Sequence, residues 1–325
     1  MSRSRGRRVA SAAAAVGAAL LLSTATAGAV PSPRIGCGTV ILDSVTLNDD
    51  VSGCAGDGLV VGADNVTLDL GGHSVSGTGT ARGIVIAGSN VRVLNGSVRG
   101  FQDGVSATGW LTPGPLTGVE LSRLRVAGNS RAGIMASYVN DATFEHNVVT
   151  DNGHWGMSMF ELRGVVVQNT IIGNGADVSD AGGIKSTESG GLLRRNRVLA
   201  NLGPGLLVQD PYALHISGNR ANRNAADGVA IFENYPGYDR VVVSGNSANR
   251  NAGYGIWAAA QDWSNPPGLP TDGGGNSGWG NANPAQCLNI DCARNRGQAR
   301  RETRTKTVAR LASNRRPSRR VTAGR

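Results

Sequence analysis

No stretch beyond residue 30 carries an apolar stripe at helical spacing, which excludes helical bundles and helical solenoids. The Leu/Asn consensus of leucine-rich repeats is missing as well. No Cys/His cluster has zinc spacing, no serine elbow occurs, and GNGAD at 173–177 is a turn without the strand-to-helix context of a phosphate loop. Histidine is scarce: His146, His154 and His215 fall at unlike positions of the repeat described next, so they form no metal cluster.

What the chain has is self-similarity. SGNRANRNAADGVA at Ser217 and SGNSANRNAGYGIW at Ser244 spell nearly the same phrase 27 residues apart. The glycine before Ile, Val, Leu or Met recurs as Gly58, Gly83, Gly104, Gly133, Gly156, Gly183, Gly205, Gly228 and Gly255. Asparagine pairs five apart accompany it: Asn147/Asn152, Asn169/Asn174, Asn196/Asn201, Asn219/Asn224 and Asn246/Asn251. Five extra residues between Asn174 and Gly183 read as a surface insertion. Between the markers apolar residues alternate with period two, so the units are strands. A period in the low twenties, made of two or three strands, predicts an all-β single-stranded parallel β-helix of about nine rungs. Asparagine suits its sharp turns because it tolerates left-handed backbone and its amide can bond the asparagine one rung away.

The first 29 residues hold four arginines, an apolar run and Ala27-Gly28-Ala29, the pattern of a signal peptide and therefore of a secreted, extracellular protein with no membrane span after cleavage. Four cysteines in an exported chain suggest disulfides; of three possible pairings, placement at the two ends of the repeat favours Cys37–Cys54 and Cys287–Cys292, each in a cap over an open solenoid end. The expected organisation is leader 1–29, N-terminal cap 30–57, β-helix with C-terminal cap 58–292, and tail 293–325. The formal charge of +9 hides an asymmetry. The tail holds twelve Lys/Arg against the lone Glu302, which leaves the body sixteen basic and twenty-two acidic residues. Such a tail is expected to be disordered and to meet anionic wall polymers or acidic polysaccharide, and export argues against nucleic acid.

The rung pattern, with VTLDLGGHSVSG at 66–77 and NPAQC at 283–287, resembles the right-handed parallel β-helix proteins of the pectate-lyase-like superfamily, and more narrowly the secreted bacterial β-helix repeat proteins. The resemblance covers roughly 37–292 and implies fold more than function. Pectate lyases would add Arg-x-Pro-x-x-Arg and clustered aspartates; polygalacturonases, Asn-Thr-Asp and Gly-His-Gly; mannuronan epimerases, Asp-Pro-His. Here only Gly72-His73-Ser74 and Asp210-Pro211-Tyr212 stand in those places, and His73 reads as a turn residue.

A β-helix builds sites by stacking, so residues are compared at equal offset from the rung glycine. At offset five stand Tyr138, Glu161, Glu188, Asp210 and Glu233, four of them consecutive acids. With a rung step of about 4.8 Å, neighbours lie roughly 5 Å apart and next-neighbours roughly 10 Å. Carboxylates so close raise one another's pKa and can serve as acid and base, or as ligands for Ca²⁺ at Glu188 and Asp210, the one cofactor suggested. Outward offsets two and four supply Lys185 as proton acceptor or charge neutraliser and Phe160, Gln209, Phe232 and Trp257 as a sugar platform, with Trp155 and Tyr254 at its border. Two functions fit: a polysaccharide-binding protein that cleaves its ligand as a lyase or hydrolase, and a non-catalytic surface or adhesion scaffold.

Overall fold

A computed structural model describes residues 35–109, 114–175, 181–233, 240–260 and 269–293. The expected leader, nearly all of the basic tail and the core of the 174–183 insertion lie outside the described residues.

The described chain winds as one continuous parallel sheet of short strands in about nine turns. A central coil consists of Gly182–Thr187, Gly190–Arg194 and Arg197–Leu199, and the next of Leu206–Gln209, Leu214–Ser217 and Arg220–Asn222. We call these the first, second and third strands of a coil. Each pairs in parallel with its counterpart one coil on, as in Ile184↔Leu206, Leu193↔Ile216 and Val198↔Ala221. Period two then sends one residue in two inward. Ile134, Met157, Ile184, Leu206, Val229 and Ile256 stack on the first-strand side of the core, and Val149, Ile171, Val198, Ala221 and Ala248 on the third-strand side.

The rung glycines superpose turn upon turn for a steric reason. A Cβ on Gly133 would sit 2.7 Å from the Gly156 carbonyl oxygen, and one on Gly205 would sit 2.5 Å from that of Gly228. Even alanine would force the coils apart at these points.

Two columns of buried asparagine run down the solenoid. One starts at Asn129 and passes through Asn152, Asn174, Asn201, Asn224 and Asn251 to Asn281; the other runs from Asn147 through Asn169, Asn196, Asn219 and Asn246 to Asn276. The Nδ2 of Asn196 donates to Asn219 Oδ1 at 3.1 Å and to the Val166 carbonyl at 2.8 Å. Its Oδ1 accepts the backbone N–H and the side-chain Nδ2 of Asn169, both at 3.0 Å. Every hydrogen-bonding position of the amide is thereby used. The left-handed backbone expected of the asparagines belongs instead to the residue before each: Gln168, Arg195 and Gly218 in one column, Asp151, Ala200 and Arg223 in the other. The turn puts its strain there so that the asparagine can point inward.

Both disulfides form as favoured, Cys37–Cys54 and Cys287–Cys292. The segment expected as an N-terminal cap is itself a coil, since Thr39↔Leu59, Val45↔Leu68 and Val51↔Val75 are paired in register. At the other end Gln286 closes the longer ladder: its Oε1 accepts both Asn281 N and Asn281 Nδ2 at 3.0 Å, in the place of a further asparagine. Asp272 Oδ1 accepts Asn276 Nδ2 at 3.1 Å and ends the shorter one.

Replacing Asn196 with Ala leaves the Asn169 backbone N–H, the Val166 carbonyl and the Asn219 carbonyl oxygen short of a partner in a buried site. At about 1–3 kcal/mol for each orphaned group, Asn196→Ala is expected to cost at least about 3 kcal/mol in chemical denaturation, whereas Leu202→Ala, at an exposed position six residues on, costs under about 1 kcal/mol.

Candidate functional site

The corner between first and second strands holds the acidic column. Strand pairs at the flanking positions, Phe160↔Thr187 and Thr187↔Gln209↔Phe232, place Glu161, Glu188, Asp210 and Glu233 at one register in four consecutive coils. The backbone confirms it: Glu188 N donates to the Gln209 carbonyl and Asp210 N to that of Phe232, both at 2.9 Å. Tyr138, Glu161, Glu188 and Asp210 all have positive φ, between 46° and 55°. Glycine or asparagine meets that conformation with less strain, so carboxylates persist here at a conformational cost of order 1 kcal/mol each. The side chain of Glu233 lies outside the described residues.

Glu161 and Glu188 are partly exposed and Asp210 is buried. Loss of hydration, then the negative charges of Glu161 and Asp210, push the Glu188 carboxyl above its ordinary value. Tyr138 is pushed up by desolvation, by the charge of Glu161, by its own hydrogen bond to that carboxylate, and by Glu188. The four residues thus form one electrostatic unit. Tyr138 carries the same offset as the acids, and that offset was the signal for its membership.

The outward row beside the column is mixed polar and aromatic. Phe160 meets Tyr138 edge-on at 5.3 Å, Phe232 tilts over Trp257 at 6.1 Å, and between them Thr187 Oγ1 lies 3.3 Å from Gln209 Oε1. Three expected members are placed elsewhere. Trp155 is buried, with 1% of its surface exposed, because Gly182 on the next coil opens room for its ring. Lys185 holds its ammonium 5.8 Å from the centre of that ring, toward the start of the strand and away from Glu188. Tyr254 occupies the same pre-glycine column, six residues and so about 20 Å from the acidic corner, where its N–H donates to Asp227 Oδ1 at 2.5 Å. Tyr212, at the epimerase-like tripeptide, accepts Arg163 Nε at 2.8 Å under a stacked guanidinium. His73 lies 3.3 Å from Asp50 in a turn, as expected of a turn residue.

Among the described residues no three His, Cys, Asp or Glu side chains gather to hold a metal ion. Two adjoining cavities, of about 490 and 420 Å³, share Gly77, Gly100, Gly128 and Asp151 at the corner after the third strand, so neither overlies the acids. Among the described residues no helix is long and apolar enough to cross a membrane.

Solved structures with a similar winding include the enzymatically active domain of bacteriophage CBA120 tailspike protein 2, at 14% identity and a TM-score of 0.42 over 80% of this chain and 43% of that one. The Dettilon tailspike protein is similar at 13% identity and a TM-score of 0.41, over 78% of this chain and 60% of that one. The chain therefore spans about half the length of these structures. No curated protein matches it. Residues 115–265 match the family described as "Right handed beta helix region", and all described strand pairs are parallel and one coil apart, so the chain folds as an all-β parallel β-solenoid of about nine turns.

Proposed function

We propose that the protein binds an extracellular polysaccharide along the first-strand face and cleaves it at the acidic corner. The observation that carries this reading is the registered column Tyr138, Glu161, Glu188, Asp210, held in left-handed backbone beside an outward row of Phe160, Thr187, Gln209 and Phe232. Aromatic faces stack on sugar rings while amide and hydroxyl groups bond their hydroxyls.

Cleavage of a glycosidic bond needs one carboxyl that is protonated and one that is not. Glu188 has the raised pKa of the acid, and its neighbours in the column supply the carboxylate. At the rung step of about 4.8 Å, Glu188 with Glu161 or Asp210 approaches the roughly 5 Å of retaining enzymes; Glu161 with Asp210 approaches the wider spacing of inverting ones. Ca²⁺ taken up between Glu188 and Asp210 would be completed by the ligand's own oxygens, because two carboxylates supply too few of the six to eight it requires. A second reading, a non-catalytic surface scaffold, uses the same outward row for contact and needs no cleavage at the corner.

A polysaccharide panel with and without chelator separates the two. Release of reducing or unsaturated ends, abolished in Glu188→Ala with the melting temperature within a few degrees of the parent, establishes the enzyme; binding without release establishes the scaffold; neither binding nor release rejects the reading.

Stability offers an independent check. A carboxyl whose pKa is raised on folding stabilises the fold below its unfolded value near 4.5 and loses that contribution as pH rises through its folded value. Glu188→Gln is therefore expected to raise the melting temperature slightly at pH 7, with the difference vanishing below about pH 4; a lowered melting temperature at pH 7 would show that Glu188 is instead held by a favourable partner.

A further inference from the structure

The third-strand face carries the opposite charge. Arg194 ends a second strand, Arg195 forms the next corner, Arg197 and Arg220 begin third strands in consecutive coils, and Arg223 forms the corner that follows. All five are exposed. No described carboxylate forms an ion pair with any of them, although the body as a whole is acidic. Arg197 and Arg220 are direct partners in the parallel register, so two cations face outward side by side at the rung step of about 4.8 Å. Like charges directly opposite on a sheet are destabilising.

The backbone adds a second cost. Arg195 and Arg223 stand in left-handed conformation, at φ 54° and 58°, where the same columns elsewhere use Gly218 and Gly173. Gly218 does more than relieve its own turn: a Cβ there would lie 3.5 Å from Arg195 Cγ, so the arginine stem rests across it. The main chain beneath is fixed, with Arg195 N, Arg197 N, Arg220 N and Arg223 N each bonded to a carbonyl of a neighbouring coil. Guanidinium forks on a rigid base, repeated coil by coil without counter-charge, need an anion to offset their repulsion.

We propose that this face binds a carboxylated polysaccharide laid along the solenoid axis, its successive carboxylates taken by arginines of successive coils. The planar fork of arginine matches a carboxylate with two parallel bonds. The outward residues between the two corners of these coils are Arg197, Leu199, Arg220 and Asn222, with no ring on which a base could stack, and the ring two coils on, Trp279, is already covered by the Arg250 guanidinium at 4.5 Å, so these coils lack what single-stranded nucleic acid uses. The proposal is independent of the acidic corner, which faces a different side of the coil.

Binding of polygalacturonate to the full chain at low salt is the test, with its methyl ester and inorganic polyphosphate as comparison probes. Arg197→Gln/Arg220→Gln/Arg223→Gln is expected to weaken polygalacturonate binding at least about tenfold without lowering the melting temperature, and the corresponding triple Lys variant to recover only part of it. Glu188→Gln, and Gln replacement of Arg315, Arg316, Arg319 and Arg320 in the tail, are expected to leave most of the affinity. Undiminished binding by the Gln triple variant, full recovery by Lys, loss confined to the tail variant, equal binding of the methyl ester, or tighter binding of polyphosphate would each overturn the proposal.

Discussion

Coil-to-coil register in this protein depends on a buried side-chain amide that bonds its own copy one turn away. A backbone ladder alone is degenerate, because a strand slipped by two residues keeps its hydrogen bonds and its inward face. The asparagine columns remove that freedom: slip one coil and Asn196 loses Asn169 below and Asn219 above, in a core where unsatisfied amides are costly. The glycines belong to the same constraint. A Cβ on Gly133 would meet Asn152 Nδ2 at 2.7 Å, and one on Gly205 would meet Asn224 Nδ2 at 2.6 Å. Small residue and amide occupy one volume together, which is why the two recur in step.

Such a coupling leaves a strong trace in sequence. The spacing of Gly and Asn was enough for the fold class, the approximate number of turns and the neighbourhood of Glu161 with Glu188, because each follows from counting residues per coil. The first coil escaped because its equivalent glycine, Gly38, precedes Thr39, while later ones precede an aliphatic residue. The left-handed positions were also hidden. They tolerate Asp151, Ala200, Arg223 and Arg250 alike, since the turn is enforced by the asparagine after them and not by their own preference.

Side-chain direction is the level at which counting fails. Lys185 lies at the offset expected of an outward residue, and it does point outward, yet its stem runs back along the strand to the Trp155 ring. Whether a Trp before a rung glycine is a platform or a core residue depends on the residue one coil on, and at Trp155 that residue is Gly182. The acidic column survives the same test because its chemistry needs only that carboxylates share a corner, and the corner is set by backbone.

Stacking also converts composition into surface fields. A residue type repeated at one offset becomes a line of like charge, here negative where first strands meet second and positive around third strands. Both lines cost free energy through self-repulsion, and neither is needed for the fold, since apolar or asparagine side chains serve the same turns elsewhere, as at Ala200 and Asn90. The buried ladders make the cost tolerable: with register fixed inside, the outside is free to hold charges that repel one another. A solenoid is suited to gripping a polymer for this reason, since the ligand's own repeat can then relieve, coil after coil, a repulsion that the protein cannot relieve by itself.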